Sequence, residues 1–309
     1  MTLEKLIQQR IYRLENVPDT MLSVVDKENE KLFKAALKRL GELETKDGKI
    51  VASRGNLAKI NAVLEDLKQV LFKGDYVEAV KLFAAEINNQ ALLNNSILAK
   101  VADSFKDSEM FKAARERAVK NTLLLMGEQG IASNFLQPLE EILNTSVVSA
   151  VKYTDAVETL RRNMVGEDAI LGKYAKQIVT DTFAVADRQY VKLTSEAYKI
   201  EFFKYSGGKV EGTREFCLER YGKIFHQKEI AEWGNFERTG DFKLPKYLFT
   251  TSKGVKVYWQ GMNYNTNAAT VFSYLGGYEC RHVLVPIATR YVPKADLERA
   301  ERLGFYKAG

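Results

Sequence analysis

Cysteine and histidine are nearly absent from this chain, with two of each in 309 residues. Two cysteines cannot build the disulfide framework of a small secreted domain. A chain of this length can bury a core without such staples. Two histidines leave a Ser-His-Asp arrangement only His226 or His282 to draw on, and nothing positions a serine for either. No apolar run reaches the roughly 18 residues of a membrane-spanning helix, so no span is expected. The start, Met1-Thr2-Leu3-Glu4-Lys5, leads into charged amphipathic sequence and lacks the basic lead and apolar run of a signal peptide. The expectation is a protein made and folded in a cytosol. The phosphate-binding G-x-x-x-x-G-K-[ST], the G-x-S-x-G elbow and H-E-x-x-H are all missing. The run Gly207-Gly208-Lys209 lacks the first glycine of a phosphate loop. No repeat period and no low-complexity segment stands out.

What is present is an ordinary globular balance, 46% hydrophobic and 28% charged, with a formal charge of +6. That excess is too mild for a dedicated nucleic-acid binder. The chain changes character near residue 200. Residues 201–309 hold 12 of the 20 glycines, both tryptophans and 20 of the 33 aromatics. They also hold 17 Lys and Arg against 12 Asp and Glu, which places +5 of the +6 there. The expected organisation is therefore a helical region over 1–200 and a mixed module over 201–309.

The first region reads as helices. Leu57, Ile60, Leu64, Leu67 and Leu71 recur at spacings of three and four, one apolar stripe of a helix, and Gly74 follows at the place of a C-terminal glycine. Pro18 predicts a helix start for the stretch reaching Leu40, with Gly41 beyond it. Ala175, Val179, Phe183, Ala186, Tyr190, Leu193, Ala197 and Ile200 form a second stripe, a long helix over about Lys173 to Ile200 that would connect the two parts. The second region reads as strands and short helices. Phe202–Tyr205 is an expected strand. Tyr247–Thr250 and Val255–Trp259 around Ser252-Lys253-Gly254 form an expected hairpin. Asn267–Leu275 is a short helix closed by Gly276-Gly277, and Val283–Pro286 is a last strand, with Pro286 at its end or on an edge. Ala295–Leu303 is a charged helix. The fold class expected is α+β: an elongated, mainly helical N-terminal region followed by a small mixed module with short strands.

All four rare residues fall in one window, in the order Cys217-x8-His226-x53-Cys280-x-His282. Zinc takes four nitrogen or sulfur ligands, commonly from two knuckles distant in sequence. Cys280 and His282, at i and i+2 of an extended segment, would face one ion together. Cys217 and His226 would be the other knuckle. Three readings stay open on the residues alone: a structural zinc site, plain packing of Cys217 and the histidines, and a Cys217–Cys280 disulfide formed in an oxidising medium. A catalytic zinc would need an open position and a base, for which Glu215, Glu219 and Glu279 are near in sequence.

The residues around this cluster form a train of motifs. Arg214-Glu215-Phe216-Cys217-Leu218-Glu219-Arg220-Tyr221-Gly222-Lys223-Ile224-Phe225 fits R-x-F-C-x-x-R-x-G-K-x-F. Trp233, Trp259-Gln260-Gly261 and Thr266-Asn267 follow, and then Gly276-Gly277-Tyr278-Glu279-Cys280-Arg281-His282-Val283-Leu284-Val285-Pro286. This train, over about residues 180–290, resembles the C-terminal module of phage minor head proteins of the Mu F-like head morphogenesis group. In that group an arginine-led segment is paired with a later Cys-Arg-Cys or Cys-Arg-His, often before a proline. The group's frequent proline-histidine lead is replaced here by Gly276-Gly277-Tyr278.

The resemblance implies a non-enzymatic virion component, assembled in the host cytoplasm as part of a multi-subunit structure. Its partners would be portal, capsid or neck proteins, and it would assist head assembly or DNA packaging and ejection. No membrane is involved. A non-specific DNA contact would run through phosphates, without sequence readout. Two other classes remain open: a metal-dependent nuclease or toxin-like effector built on the Cys/His cluster, and a basic DNA-binding accessory factor.

Overall fold

The computed structural model describes residues 1–166, 168–239, 246–251 and 254–307. The fold is α+β and mainly helical, with long helices toward the N-terminus and a few short antiparallel strands toward the C-terminus. In chain order the elements are α1 (Leu3–Leu40), β1 (Thr45–Lys46), β2 (Lys49–Ile50), α2 (Arg54–Lys73), α3 (Asp75–Val101), α4 (Glu109–Met126), α5 (Glu128–Ile131) and a π-helical turn over Ala132–Leu136. Then come α6 (Gln137–Val148), α7 (Tyr153–Met164), α8 (Ile170–Ala197), β3 (Phe202–Ser206), α9 (Glu215–Arg220), β4 (Ile224–His226) and α10 (Gln227–Glu232). Last are β5 (Glu237–Thr239), β6 (Lys246–Thr250), β7 (Lys256–Tyr258), α11 (Val271–Tyr274), β8 (Val283–Ile287), a 3₁₀ turn at Thr289–Tyr291 and α12 (Lys294–Arg302). No helix among the described residues is long and apolar enough to cross a membrane.

Two compact units divide the chain. One takes residues 1–16, 87–118 and 180–309; the other takes residues 17–86 and 119–179. The composition boundary near residue 200 falls inside the first. Its cores join residues from both sides of that point. Val191 packs with Phe203, Tyr205, Cys217, Trp259 and Leu284. Leu6, Ile97, Leu98 and Val101 pack with Ile200. The aromatic module therefore has helical residues of α8 in its core. A fully buried ion pair adds to the same unit: Arg10 meets Asp187 through two bonds of 3.1 and 2.6 Å, and Gln90 and Asn94 supply further donors to Asp187.

Two helix bounds differ from the sequence expectation, those at Pro18 and at Ile200, while Gly74 closes α2 at the expected place. Pro18 lies inside α1 and does not start it. Proline costs one i→i−4 bond there, but the buried stripe of Leu6, Leu14, Met21, Val25, Leu32, Ala36 and Leu40 continues on both sides. Burial of that stripe carries the helix through. Gly74 ends α2 at φ −99, outside the left-handed region. A Cβ there would lie 2.6 Å from the Val70 carbonyl, so the glycine serves close backbone approach before α3 begins. The long helix α8 also stops at Ala197, three residues short of Ile200, with Lys199 at φ 54.

In the second unit α2 buries Ile60, Val63, Leu64, Leu67 and Leu71, and Ser53 caps it by accepting from the Asn56 amide. The β1–β2 hairpin turns through Asp47 at φ 52 and Gly48 at φ 73. That Asp-Gly signal is the strongest short hairpin cue in the chain.

Among the described residues the first unit carries two three-stranded antiparallel sheets, in the orders β4-β3-β8 and β5-β6-β7. Pro286 sits within β8 opposite Phe203, on an edge strand as the missing N–H requires. The hairpin expected around 247–259 is β6 and β7, paired Leu248 to Tyr258. Its turn residues Ser252 and Lys253 lie outside the described residues. The helix expected over 267–275 is α11 alone, four residues preceded by turns. The charged tail helix α12 buries Ala300 against Phe202 and Val292.

Candidate metal centre

Strand pleat decides which side chains of β3 meet the cysteines. Phe203 and Tyr205 face the core that holds Cys217, Phe216, Trp259, Leu275 and Cys280. Phe202, one residue out of phase, faces the opposite cluster with Val292 and Ala300.

Cys217 stands in α9, whose start is pinned to a distant loop. Arg214 donates to the Gly276 carbonyl at 3.2 Å and to the Tyr278 carbonyl at 2.7 Å. That loop is tightly wound, with positive φ at Leu275 (44), Gly277 (95) and Glu279 (57). Non-glycine residues in such conformations cost on the order of 1–3 kcal/mol each and persist only where the surroundings hold them. Arg188 of α8 does so from beneath. It donates to the His282 carbonyl at 2.9 Å, to the Ser273 carbonyl at 2.8 Å, and to the Cys280 carbonyl. The Glu279 amide donates to Asp181 at 2.8 Å.

The result is a buried group of three. Cys217 Sγ and Cys280 Sγ are 4.0 Å apart and unbonded, both free thiols. Cys280 Sγ is 3.8 Å from His282 Nδ1. All three ligand atoms lie within 4.8 Å of one another. A tetrahedral zinc site with Zn–S of about 2.3 Å and Zn–N of about 2.0–2.1 Å has S···S edges of about 3.8 Å and S···N edges of about 3.6 Å. The Cys217–Cys280 and Cys280–His282 separations exceed these by a few tenths of an ångström, and the third edge, from Cys217 to His282, lies within 4.8 Å. Cys217, Cys280 and His282 could therefore hold a metal ion.

Glycine makes the space. A Cβ at Gly276 would lie 2.5 Å from Cys217 Sγ and 3.0 Å from Cys280 Sγ. A Cβ at Gly207 would lie 2.8 Å from His282 Cδ2. Aromatic rings wall the group. Tyr205 stacks on His282 with centroids 5.3 Å apart, and Phe216 stacks on Trp259 at 4.1 Å. The Tyr205 hydroxyl donates to Cys217 Sγ at 3.3 Å. His282 Nε2 is buried without a hydrogen-bond partner, so Nδ1 is the engaged nitrogen.

The two thiols are unequal. The hydrogen bond from Cys217 holds Cys280 well below the ordinary thiol range; Arg188 and His282 add to this, and burial opposes it. Cys217 is pushed up, first by its hydrogen bond with Cys280 and then by burial. A thiolate is the form that binds a metal.

His226, expected as the fourth ligand, is not in this group. It pairs with Phe202 in the β4–β3 ladder and so lies on the other face of the sheet. Its ring meets Phe202 edge-on at 5.1 Å and stacks on Phe305 at 6.4 Å. It also caps α10: Nδ1 accepts from the Lys228 amide at 3.2 Å, and Glu229 accepts from the His226 amide at 2.8 Å. Among the described residues, Glu215, Glu219 and Glu279 do not join the three either. Sequence reading missed Arg188, Tyr205, Gly207 and Gly276. The sequence signal for Arg188 is a charged pair, Asp187-Arg188, lying between the stripe residues Ala186 and Tyr190 of α8.

Comparison of the chain with protein-family models, with curated proteins and with solved structures gave no match.

Proposed function

We propose that this protein is a non-enzymatic structural component of a tailed-phage particle, associated with the head, portal or neck, whose C-terminal module is tied together by structural zinc at Cys217, Cys280 and His282. One observation carries this reading. The two halves of the motif train, Arg214–Phe225 and Gly276–Pro286, are about sixty residues apart in sequence, yet they meet at the thiol pair and at the Arg214 bonds to Gly276 and Tyr278. A motif whose halves converge on one buried centre is what a shared structural module requires. Zinc there would supply folding energy, holding α9 against the 273–282 loop.

In the particle the chain would sit among portal, capsid or neck subunits, after assembly in the host cytoplasm. Any contact with packaged DNA would run through phosphates and weaken as salt rises. Mass spectrometry of purified virions from the phage that encodes the chain is the test. The protein is expected in the particle at low copy number. Its absence from intact particles that contain the other structural proteins would overturn the proposal.

A further inference from the structure

Among the described residues three candidate ligands meet at the centre, while a structural zinc site closes with four. We propose that Tyr205 supplies the fourth, through its phenolate oxygen, giving a closed site of two thiolates, one imidazole and one phenolate for a divalent cation of the zinc type. The inference rests on the metal reading above.

Position is the first argument. Tyr205 is on the face of β3 that meets the cysteines, and it is fully buried. Its oxygen is 3.3 Å from Cys217 Sγ, against an S···O edge of about 3.5 Å for a tetrahedral site with Zn–O near 2.0 Å. Its ring lies on the His282 imidazole, so the two rings are held as one wall of the centre. His226, the other expected donor, is across the sheet.

Charge is the second argument. A dication with two thiolates and a neutral imidazole is electrically neutral. Adding a phenolate leaves a single negative charge, and adding water leaves none. Arg188 is buried directly beneath, and its guanidinium is directed at three backbone carbonyls of the 273–282 loop. Asp181, half-buried, accepts from the Glu279 amide and lies within electrostatic reach of Arg188, offsetting part of its charge. A buried cation is costly without full compensation, and a metal complex with one net negative charge adds to it next to Cys280.

The test uses the full chain, freed of metal and titrated with zinc or cobalt(II). In the native protein, zinc binding should produce the near-ultraviolet difference band of one tyrosinate per metal. Cobalt should give the intense visible bands of a four-coordinate thiolate site. Tyr205→Phe should lose the tyrosinate band, shift the cobalt bands, and bind zinc roughly tenfold or more weakly, since even losing a group that only hydrogen-bonds a ligand costs about 10–100-fold. His226→Gln should leave all three readouts unchanged. If native protein binds zinc without a tyrosinate band, the fourth-ligand proposal fails while the three-ligand reading stands. A Tyr205→Phe protein with native spectrum and affinity has the same consequence. If native protein binds neither metal, the underlying metal reading fails. The tyrosinate band is read on native protein, so the test does not depend on the variant folding.

Discussion

Gly276 is the residue on which the centre's space depends most directly. Alanine there places a methyl 2.5 Å from Cys217 Sγ, and the backbone cannot retreat because Arg214 holds the Gly276 carbonyl. Overpacking of this kind costs about 1–3 kcal/mol. Gly276→Ala should therefore lower equilibrium stability by that amount and abolish zinc binding. Gly55→Ala is the control: its only near neighbour would be Ser53 Oγ at 3.7 Å, and it lies in the first turn of α2. It should be neutral or stabilise by up to about 1 kcal/mol. Equal effects of the two alanines in urea unfolding would contradict the account.

His226 makes a separate prediction at the same scale. Burial holds its imidazole below the ordinary value of 6.5; Lys228 adds to the shift, while Glu201 and Glu229 oppose it. The unfolded chain therefore takes up the proton first as pH falls. The neutral-histidine contribution is complete above about pH 6.5 and is lost as pH drops through the depressed folded value. Asparagine keeps the capping acceptor without titrating in this window. His226→Asn should flatten the fall in urea midpoint between pH 7 and pH 5. Parallel profiles for the two proteins would reject this origin.

Among the elements, the β1–β2 hairpin shows how a helix fastens a two-residue strand pair that could not stand alone. Asn56, in the first turn of α2, accepts from the Glu44 amide at 2.9 Å and donates to the carbonyls of Glu44 at 2.9 Å and Val51 at 2.8 Å. Asn56→Ala leaves three backbone groups without that partner and should cost about 2–3 kcal/mol. Asn56→Asp keeps only the acceptor and should fall between the two. Chemical denaturation of the three proteins checks the order; an alanine variant as stable as the native chain would contradict it. At this scale much of the fold was legible. The stripe of α2, the helix α8, the Phe202–Tyr205 strand, the 247–259 hairpin and α12 follow from periodicity and turn residues; of the stripe read for α8, Ala175, Val179, Phe183 and Tyr190 are buried and Ala197 is exposed. Pro18 misled because local propensity is weaker than burial of a continuing stripe, while Gly74 does close α2, through close backbone approach and not a left-handed turn. The Asp47-Gly48 hairpin carried a clear local signal that composition-level reading passed over.

For the molecule as a whole, the least legible features were those set by distant residues. Composition places a boundary at 200, yet α8 packs its second half against the strands and loop that follow, because Val191 is buried in their core and Arg188 is buried on the His282 and Ser273 carbonyls. The candidate centre was half legible. Cys217, Cys280 and His282 were picked by residue type and spacing, and the fold brings them together. His226 has the right chemistry and the wrong side of the sheet, which only the β3–β4 register decides. Tyr205 and Arg188 carry no motif, and their roles follow from pleat and burial alone. Metal content tests the centre most directly. Elemental analysis of native protein, prepared without chelator, should find about one zinc per chain, and the Cys280→Ser, His282→Ala double variant should have lost it. Native protein free of bound metal would contradict the account.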